Sequence, residues 1–485
     1  MASPPHLTRP HLLECHDCGA IQQLPAMPPD ARAGCLRCEA LLRHTRADPF
    51  TPPLALNVTA LVLFLVGAVF TLMSVSTGGQ TRDANLLTGP ARLTGFGLWE
   101  LSLVVLATTV VAPLARILCM IAVLVGLRLP HRPPGIRMIF AWVEHLRPWS
   151  MMEIFLLGLF VAFVRLSDLA HIDLGPAIVA LAALTAAMLA ADLLLDPHAV
   201  WEALDAQKPR RPPRRSRPLA APGGRTQRIG CDTCGLVTRG QEGKACPRCG
   251  FTLHHRKPGG LSRVWALVIA ALVLYIPANT WPILTVLRFG AGEPSTILRG
   301  VRELIEAGLW PLALLVFFAS VVVPVLKLAG LIALLVTTHA YAQGRPRDRT
   351  VLYRVVDSVG RWSMIDIFME SILVALVQFG SVMIVVPGTG AIAFSAVVIL
   401  TMFAARAFDP RLIWDRAVRA SWPDAPEVAS TAVVPPTPPL AVSAVAVQGE
   451  AVQGEAVQGE AVQGEAVQGE AVQGGVTQGG EINPA

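Results

Sequence analysis

The stretch LWELSLVVLATTVVAPLARILCMIAVLVGL, residues 98–127, is apolar enough and long enough to cross a membrane as a helix. About 20 apolar residues span a hydrocarbon layer roughly 30 Å thick. The stretch recurs as LWPLALLVFFASVVVPVLKLAGLIALLVTT at residues 309–338. Both copies place a Trp near the start and a Pro three positions before a basic residue. The pattern predicts a membrane protein built from a repeated helical unit.

The repeat extends beyond this pair of helices. A Trp-Ser-Met-x-acid-Ile-Phe motif occurs at residues 149–155 and 362–368, and Asp-Pro-x3-Trp occurs at 196–201 and 409–414. The offset is 211 for the first pair of stretches and 213 for these motifs. Chance similarity between apolar helices would preserve Leu and Val, whereas here Trp, Pro and charged positions match. A near-constant offset over about 100 residues therefore indicates duplication.

The composition fits a membrane protein, with 53% hydrophobic and 15% charged residues, and these values exclude an ordinary soluble chain. The earliest apolar run begins near Leu54 and is too long for the core of a secretory signal peptide. We predict an all-α polytopic membrane protein with eight transmembrane helices in two four-helix repeats. The predicted spans are residues 54–76, 98–127, 151–164, 174–195, 264–287, 308–338, 364–386 and 388–408.

The short loops predict the orientation, because Lys and Arg accumulate on the cytoplasmic side of membrane proteins. The loops between spans two and three and between spans six and seven are rich in arginine, whereas residues 168–173 and 380–389 contain neither Lys nor Arg. The arginine-rich loops are therefore predicted to be cytoplasmic, together with both termini. An even number of spans in each unit makes the two units parallel repeats.

Eight of the nine cysteines form four Cys-x-x-Cys pairs ahead of the two helical units. The two sets are Cys15, Cys18, Cys35 and Cys38, and Cys231, Cys234, Cys246 and Cys249. Four thiolates at this spacing suit tetrahedral zinc and leave no open position for catalysis. Two structural zinc ions are predicted, since modules this small need a metal to fold. A rubredoxin-like iron site and a thiol-disulfide centre fit the same spacing.

Glycine directly follows three of the four cysteine pairs, at Gly19, Gly235 and Gly250. A residue that adopts positive φ there lets backbone amides approach the sulfurs. Glu39 takes this position after the second pair of the first module.

Several ionisable residues fall within predicted spans, where they call for a functional hypothesis. Arg116 and Lys327 occupy equivalent places three residues after Pro113 and Pro324. Carboxylates start the following spans, at Glu153 in one unit and at Asp366, followed by Glu370, in the other. We predict an intramembrane polar network of Arg116 with Glu153 and of Lys327 with Asp366 or Glu370. The alternative is that these side chains extend to the inner membrane interface.

The remaining segments carry less information. Residues 205–228 form a basic linker that either retains the loop in the cytoplasm or binds anionic lipid, and no nucleic-acid fingerprint accompanies it. The tail at 423–485 contains AVQGE repeats and is predicted to be disordered. The predicted domains are a zinc-ribbon-like module at 10–45, a membrane unit at 54–201, the linker, a second module at 229–257, a second membrane unit at 262–420, and the tail.

With these motifs together, residues 10–420 resemble the paraquat-inducible protein A family. Pro277-Ala278-Asn279 and the motif at 362–366 carry the likeness in the second half. The resemblance implies a bacterial inner-membrane protein that acts with a periplasm-spanning MCE-domain partner in lipid transport between membranes. It also implies that the eight cysteines hold two zinc ions and that Lys327 and Asp366 belong to a polar network.

Three function classes follow from the sequence. The first is a non-enzymatic membrane subunit that exchanges phospholipid with an MCE-domain protein. The second is a self-contained proton-coupled transporter of small solutes, and the third is a membrane-bound zinc or redox sensor. No nucleotide-binding loop of the GxxxxGK[ST] type is present, so the chain itself offers no ATP site.

Overall fold

The computed structural model describes residues 11–77, 80–130, 133–167, 171–206, 227–289, 292–340, 345–379 and 383–415. The predicted basic linker lies almost entirely outside these residues, and the predicted repeat tail lies wholly outside them. The first module contains two hairpins, formed by β1 (His11–Glu14) with β2 (Ile21–Leu24) and by β3 (Arg32–Gly34) with β4 (Leu41–His44).

The first membrane unit follows directly and is mainly helical. Its elements are α1 (Thr51–Val69), β5 (Met73–Thr77), β6 (Gln80–Ala84), α2 (Thr88–Gly95), α3 (Trp99–Leu106), α4 (Ala112–Arg128), α5 (Ile136–Leu146), α6 (Met152–Ser167), β7 (His171–Leu174), α7 (Pro176–Leu194) and α8 (Pro197–Ala206).

The second module contains one strand pair where the first has two, and the second membrane unit repeats the element order of the first from α1 to α7. They contain β8 (Gln227–Gly230), β9 (Val237–Gly240), α9 (Gly260–Thr280), β10 (Leu284–Arg288), β11 (Pro294–Ser295), α10 (Ile297–Glu306), α11 (Trp310–Phe317), α12 (Val323–His339), α13 (Pro346–Gly360), α14 (Ile365–Leu376), β12 (Met383–Pro387) and α15 (Thr389–Ala407).

Seven helical segments in the described part of the chain are long and apolar enough to cross a membrane. They are Thr51–Val69, Trp99–Arg128, Ile136–Val164, Pro176–Leu194, Gly260–Thr280, Trp310–His339 and Thr389–Ala407. The third is a composite of α5, a 3₁₀ turn at Arg147–Trp149, and α6. The short apolar run predicted as the third span, residues 151–164, is thus lengthened in the structure by the preceding helix α5.

The span predicted at residues 364–386 is different in the structure. Helix α14 has 12 residues, about 18 Å of helix, and the chain then enters strand β12. Gln378 turns the chain here, because its side-chain amide donates to the carbonyls of Val374 and Val385, each at 3.1 Å. The count of eight spans therefore stays a prediction.

Small sheets, which the all-α prediction did not include, close one end of each membrane unit. β5 lies between β6 and β7, and β10 lies between β11 and β12. Helix α1 leads from the first module to β5, so the modules and the sheets lie at opposite ends. We call these the module end and the sheet end.

Both long helices contain a π-helical turn just before a proline, at Ala107–Val111 and at Phe318–Val322. A proline lacks the amide hydrogen and its ring collides with the carbonyl four residues earlier. The wider π turn removes that collision. The π-helical turn ahead of Pro113 and Pro324 is therefore a structural feature that both units share.

Candidate metal centres and buried charges

Each hairpin of the first module presents two cysteines from one tight turn. The Cys15 amide donates to Ala20 O at 2.9 Å and the Gly19 amide donates to Cys15 O at 2.9 Å. The Cys35 turn repeats these bonds with Ala40 and Glu39. Backbone hydrogen bonds therefore fix where the sulfurs point.

The four sulfurs of each module fit one tetrahedral metal ion. Within each set the ligand atoms all lie within 4.8 Å of one another. The Sγ–Sγ distances are 3.5 Å for Cys15–Cys38 and for Cys18–Cys35 in the first module. In the second module they are 3.5 Å for Cys231–Cys249 and 3.6 Å for Cys234–Cys246. A zinc–sulfur bond of about 2.3 Å gives a tetrahedron with edges of about 3.8 Å. Both sets of cysteines can therefore bind a metal ion such as zinc with little movement.

Hydrogen bonds favour the ionised form of some of these sulfurs, whereas the pKa values of Cys15, Cys38, Cys234 and Cys249 are raised. Gln22 Nε2 lies 2.9 Å from Cys35 Sγ. Burial opposes ionisation of Cys35, but the backbone amides of Cys38 and Arg37 outweigh it and lower the pKa of this thiol from 9.0 to about 7. In the second module, donation from the Cys234 thiol lowers the pKa of Cys231 to about 7. Thiolate is the form that binds metal.

The turn residues after the cysteine pairs all have positive φ. The angles are 71° at Gly19, 68° at Gly235, 84° at Gly250 and 61° at Glu39. Glycine adopts this conformation without cost, whereas a residue with a side chain is strained in it. The first module thus holds Glu39 where glycine would be favoured.

The modules pack on the membrane units in a crossed manner. The cysteines of the first module share an apolar cluster with α9, α12, α13 and residues 404–414 of the second membrane unit. The cysteines of the second module share a cluster with α4, α5 and α8 of the first membrane unit. Each cysteine set therefore rests on the unit that it does not directly precede in the sequence.

The structure pairs Arg116 with an acid that the sequence reasoning missed. Arg116 on α4 forms a salt bridge with Asp192 on α7, and Arg147 lies 3.6 Å from the same carboxylate. Glu153, the expected partner of Arg116, has an exposed side chain. Asp192 is the only charged residue of α7. A single acid in an otherwise apolar helix is the sequence feature that could have identified it as the partner of Arg116.

Lys327 occupies the place in the second unit that matches Arg116, and it is 2% exposed. Its ammonium donates to Gly360 O at 3.3 Å. The position matching Asp192, at the offset of 213, is Ala405. The second unit therefore has no carboxylate where the first unit neutralises its cation.

Asp366 and Glu370 line a cavity of about 50 Å³ under the amphipathic helix α10, with room for a few water molecules. Ser295, Thr296 and Ser320 contribute hydroxyls to its wall. Glu370 is 4% exposed, and its Oε1 has no hydrogen-bond partner in the described part of the chain. Lys327 does not line this cavity. It lies seven residues after Ser320, about 10 Å along the helix.

Comparison with known proteins agrees with this architecture. The sequence model of the family described as Paraquat-inducible protein A matches residues 50–205 and again residues 261–418. The chain belongs to the paraquat-inducible protein A family. The two matched ranges coincide with the two membrane units, so one family pattern describes both. As a family member with seven apolar helices, the chain is a multi-pass membrane protein.

Named relatives of the family cover most of this chain. The chain is 32% identical over 412 residues to "Intermembrane transport protein PqiA" of Escherichia coli strain K12, which covers 85% of this chain and 97% of that protein. It is 31% identical over 409 residues to "Lipophilic envelope-spanning tunnel protein A" of the same strain, with 84% and 92% covered. A "Probable intermembrane transport protein" of Haemophilus influenzae is 25% identical over 424 residues, with 85% and 97% covered. No solved structure matches the chain.

Proposed function

We propose that this chain is the integral inner-membrane subunit of an intermembrane lipid-transport system. It acts with a periplasm-spanning MCE-domain partner, exchanges phospholipid with that partner and carries no enzymatic activity. The observation that supports this most directly is the 32% identity over 97% of a protein named for intermembrane transport. The names of the relatives describe transport, and a full set of four cysteine ligands leaves no open metal position for catalysis.

The proposed topology has eight spans in two parallel four-helix repeats, divided into domains at the boundaries predicted from the sequence. Both termini and both zinc modules face the cytoplasm. The contact between the units supports this arrangement: Phe155 and Phe368, which match each other at the offset of 213, pack edge to face with ring centroids 5.7 Å apart. Contact between equivalent residues is expected near a two-fold axis, and here that axis would run along the membrane normal.

We propose that the second membrane unit is the working half and that the first is a rigid support. In the first unit Arg116 is neutralised by Asp192, which locks α4 to α7. In the second unit Lys327 bonds to a backbone carbonyl, while Asp366 and Glu370 face a separate cavity. A buried charge without a direct ion pair is costly unless it serves function. Lys327 is buried and is attracted by the charge of Asp357 on α13, but no ion pair joins these two residues in the described part of the chain. Glu370 is likewise buried, beside Asp366 in the wall of the cavity. Lys327, Asp366 and Glu370 are therefore the proposed functional residues, with Arg116 structural and Glu153 peripheral.

Purified full-length protein tests the proposal in one experiment that combines metal analysis with native mass spectrometry. The expected result is two zinc ions per chain, bound phospholipid and co-purification of an MCE-domain protein from the native membrane. Absence of both lipid and partner would overturn the transport proposal. Solute flux in liposomes without any partner would favour the self-contained transporter, and cycling disulfides in place of full zinc occupancy would favour the sensor.

A further inference from the structure

The base of each module, the residues at the end of its last cysteine hairpin or just after it, is tied to the membrane unit that follows it in sequence. Arg43 lies 3.3 Å from Asp196 and 2.8 Å from Glu202. Arg43 and Asp196 side chains are only 4% and 3% exposed. A buried charge pair of this kind is costly to break, because each charge left alone remains out of water. The first module therefore cannot easily detach from its own unit.

The second module repeats this attachment at matching positions. Arg256 forms a two-bond pair with Asp415, at 2.7 and 2.8 Å. The Lys257 amide donates to the Asp409 carboxylate at 3.1 Å. Residues 43, 196 and 202 match 256, 409 and 415 at the offset of 213. The base contact is thus a shared feature of both halves.

The cysteine turns of the first module contact the second membrane unit instead. Asp17, between Cys15 and Cys18, accepts from Arg354 of α13 at 2.7 Å. Arg354 also donates to Cys38 O at 3.0 Å. The guanidinium of Arg37 lies 4.5 Å from the centre of the Trp414 ring, a cation–π distance. These contacts all come from residues next to metal ligands.

The cysteine turns of the second module contact the first membrane unit in the same way. Arg248, between Cys246 and Cys249, lies 2.7 Å from Asp205 of α8. Phe251 stacks on His145 of α5 with ring centroids 5.0 Å apart. The second module's cysteines are buried in a cluster with Phe140, Trp201 and Leu204.

We propose that the two metal modules are crossed clamps that join the membrane units at the module end. Each module is anchored by its base to its own unit, and its metal-ordered turns hold the opposite unit. Without metal a module of about 30 residues cannot keep its turns folded, and the opposite unit then loses its partners. Any movement that separates the two units at this end must break the contacts that a module makes with one of the two units.

The simpler expectation is that each module supports only the unit that follows it in the sequence. The two expectations differ in which helix responds when one metal site is removed. Helix α13 contacts the turns of the first module, and α5 contacts the second. Helix α8 and residues 409–415 contact both modules, so their exchange rates do not distinguish the two expectations. Helices α5 and α13 are therefore the reporters.

Hydrogen exchange of the full-length protein in lipid nanodiscs tests the proposal. The double variant Cys35→Ser/Cys38→Ser should raise amide exchange at least about tenfold in α13 and leave α5 within about twofold. Cys246→Ser/Cys249→Ser should give the reverse pattern. Cys119→Ser, outside both modules, is the matched control and should change neither helix. Responses in α5 to the first-module variant and in α13 to the second, or no response in either helix after zinc is lost, would overturn the proposal.

A second pair of variants leaves all eight cysteines in place, so it decides the matter even if the cysteine variants fail to fold. Arg354→Gln removes the contact from α13 to the first module, and His145→Ala removes the stacking of α5 on Phe251 of the second module. Each should speed zinc release to a chelator by about fivefold or more from one site only, identified by alkylation of the freed cysteines. Arg302→Gln, in an exposed pair with Glu306, is the control. Release that is unchanged in both test variants would contradict the clamp.

Discussion

Glu39 is the one residue in the four cysteine turns whose conformation its side chain opposes. Its φ of 61° costs a residue with a Cβ about 1 kcal/mol or more. Glu39 also forms an exposed ion pair with Arg347 at 3.4 Å, worth at most about 1 kcal/mol. Glu39→Ala removes the pair and keeps the strain, whereas Glu39→Gly removes both. We expect the Gly variant to bind zinc in the first module about fivefold more tightly than the Ala variant, measured by chelator competition.

The second module supplies the matched control for this prediction. Gly250 occupies the position equivalent to Glu39, has φ of 84°, and a Cβ added there would meet no atom within 4 Å. Gly250→Ala therefore introduces strain without a collision and should weaken zinc binding in the second module by about fivefold. Equal affinities of the Gly and Ala variants at both positions would show that these turns tolerate the strain.

Single residues were predictable from the sequence where spacing alone encodes the chemistry. The eight cysteines form two compact sets, as Cys-x-x-Cys pairs require. The partners of the charged residues in the membrane helices were harder to predict. Helical spacing indicates how far along its helix a residue lies, but it does not identify the neighbouring helix. Arg116 pairs with Asp192 of α7 rather than with Glu153, and that choice depends on how α7 packs in the unit.

At the scale of elements, the contact between the two membrane units depends on Gly158 of α6. A Cβ at this position would lie 3.0 Å from Phe368 Cβ and 3.2 Å from Ile365 O of α14. Because one of these atoms is backbone, α14 itself would have to move. We expect Gly158→Val to cost about 1–3 kcal/mol and to lower the thermal midpoint by about 3 °C or more, as measured by a thermal-shift assay in detergent.

Gly95, at the end of α2, provides the comparison, since a Cβ there would meet nothing within 4 Å. Gly95→Val should leave the midpoint within about 1 °C. If the two variants behave alike, the close approach of α6 and α14 is not what holds the units together.

Elements with a long apolar run were predictable, and those shaped by tertiary contacts were not. The helix Trp310–His339 follows from its composition alone. The end of α14 does not, because Gln378 satisfies carbonyls at the point where the helix stops. The six sheet-end strands are short, and β5 pairs with β7 and β10 with β12 across sequence distances that local patterns do not record.

At the scale of the whole molecule, the repeat told us which residues are equivalent but not which copies touch. An offset of 213 matches Arg43 with Arg256 whether each module packs on its own unit or on the other. The crossed packing depends on the apolar surfaces of α5 and α13 being free to receive a module from the opposite half. Which unit receives a module is decided by tertiary packing, and no repeat or periodic pattern in the sequence records it.

The divergence of the two halves leads to the last prediction. Asp192 neutralises Arg116 in the first unit, whereas Ala405, which is 2% exposed, stands at the matching position of the sequence in the second unit. Asp357 of α13 attracts Lys327 without forming an ion pair with it, so Ala405→Asp should give Lys327 a direct partner and copy the lock of the first unit. If the charge of Lys327 serves transport, this variant should keep or raise the thermal midpoint and lose phospholipid transfer between vesicles bridged by the partner protein. Ala405→Asn, of similar size but uncharged, should lose much less transfer. Asp192→Ala should instead destabilise the protein by about 3–5 kcal/mol, since Arg116 is then buried without its nearest carboxylate. Full transfer by the Ala405→Asp protein would show that transport does not need the charge of Lys327. The proposal that the second membrane unit is the working half would then be wrong.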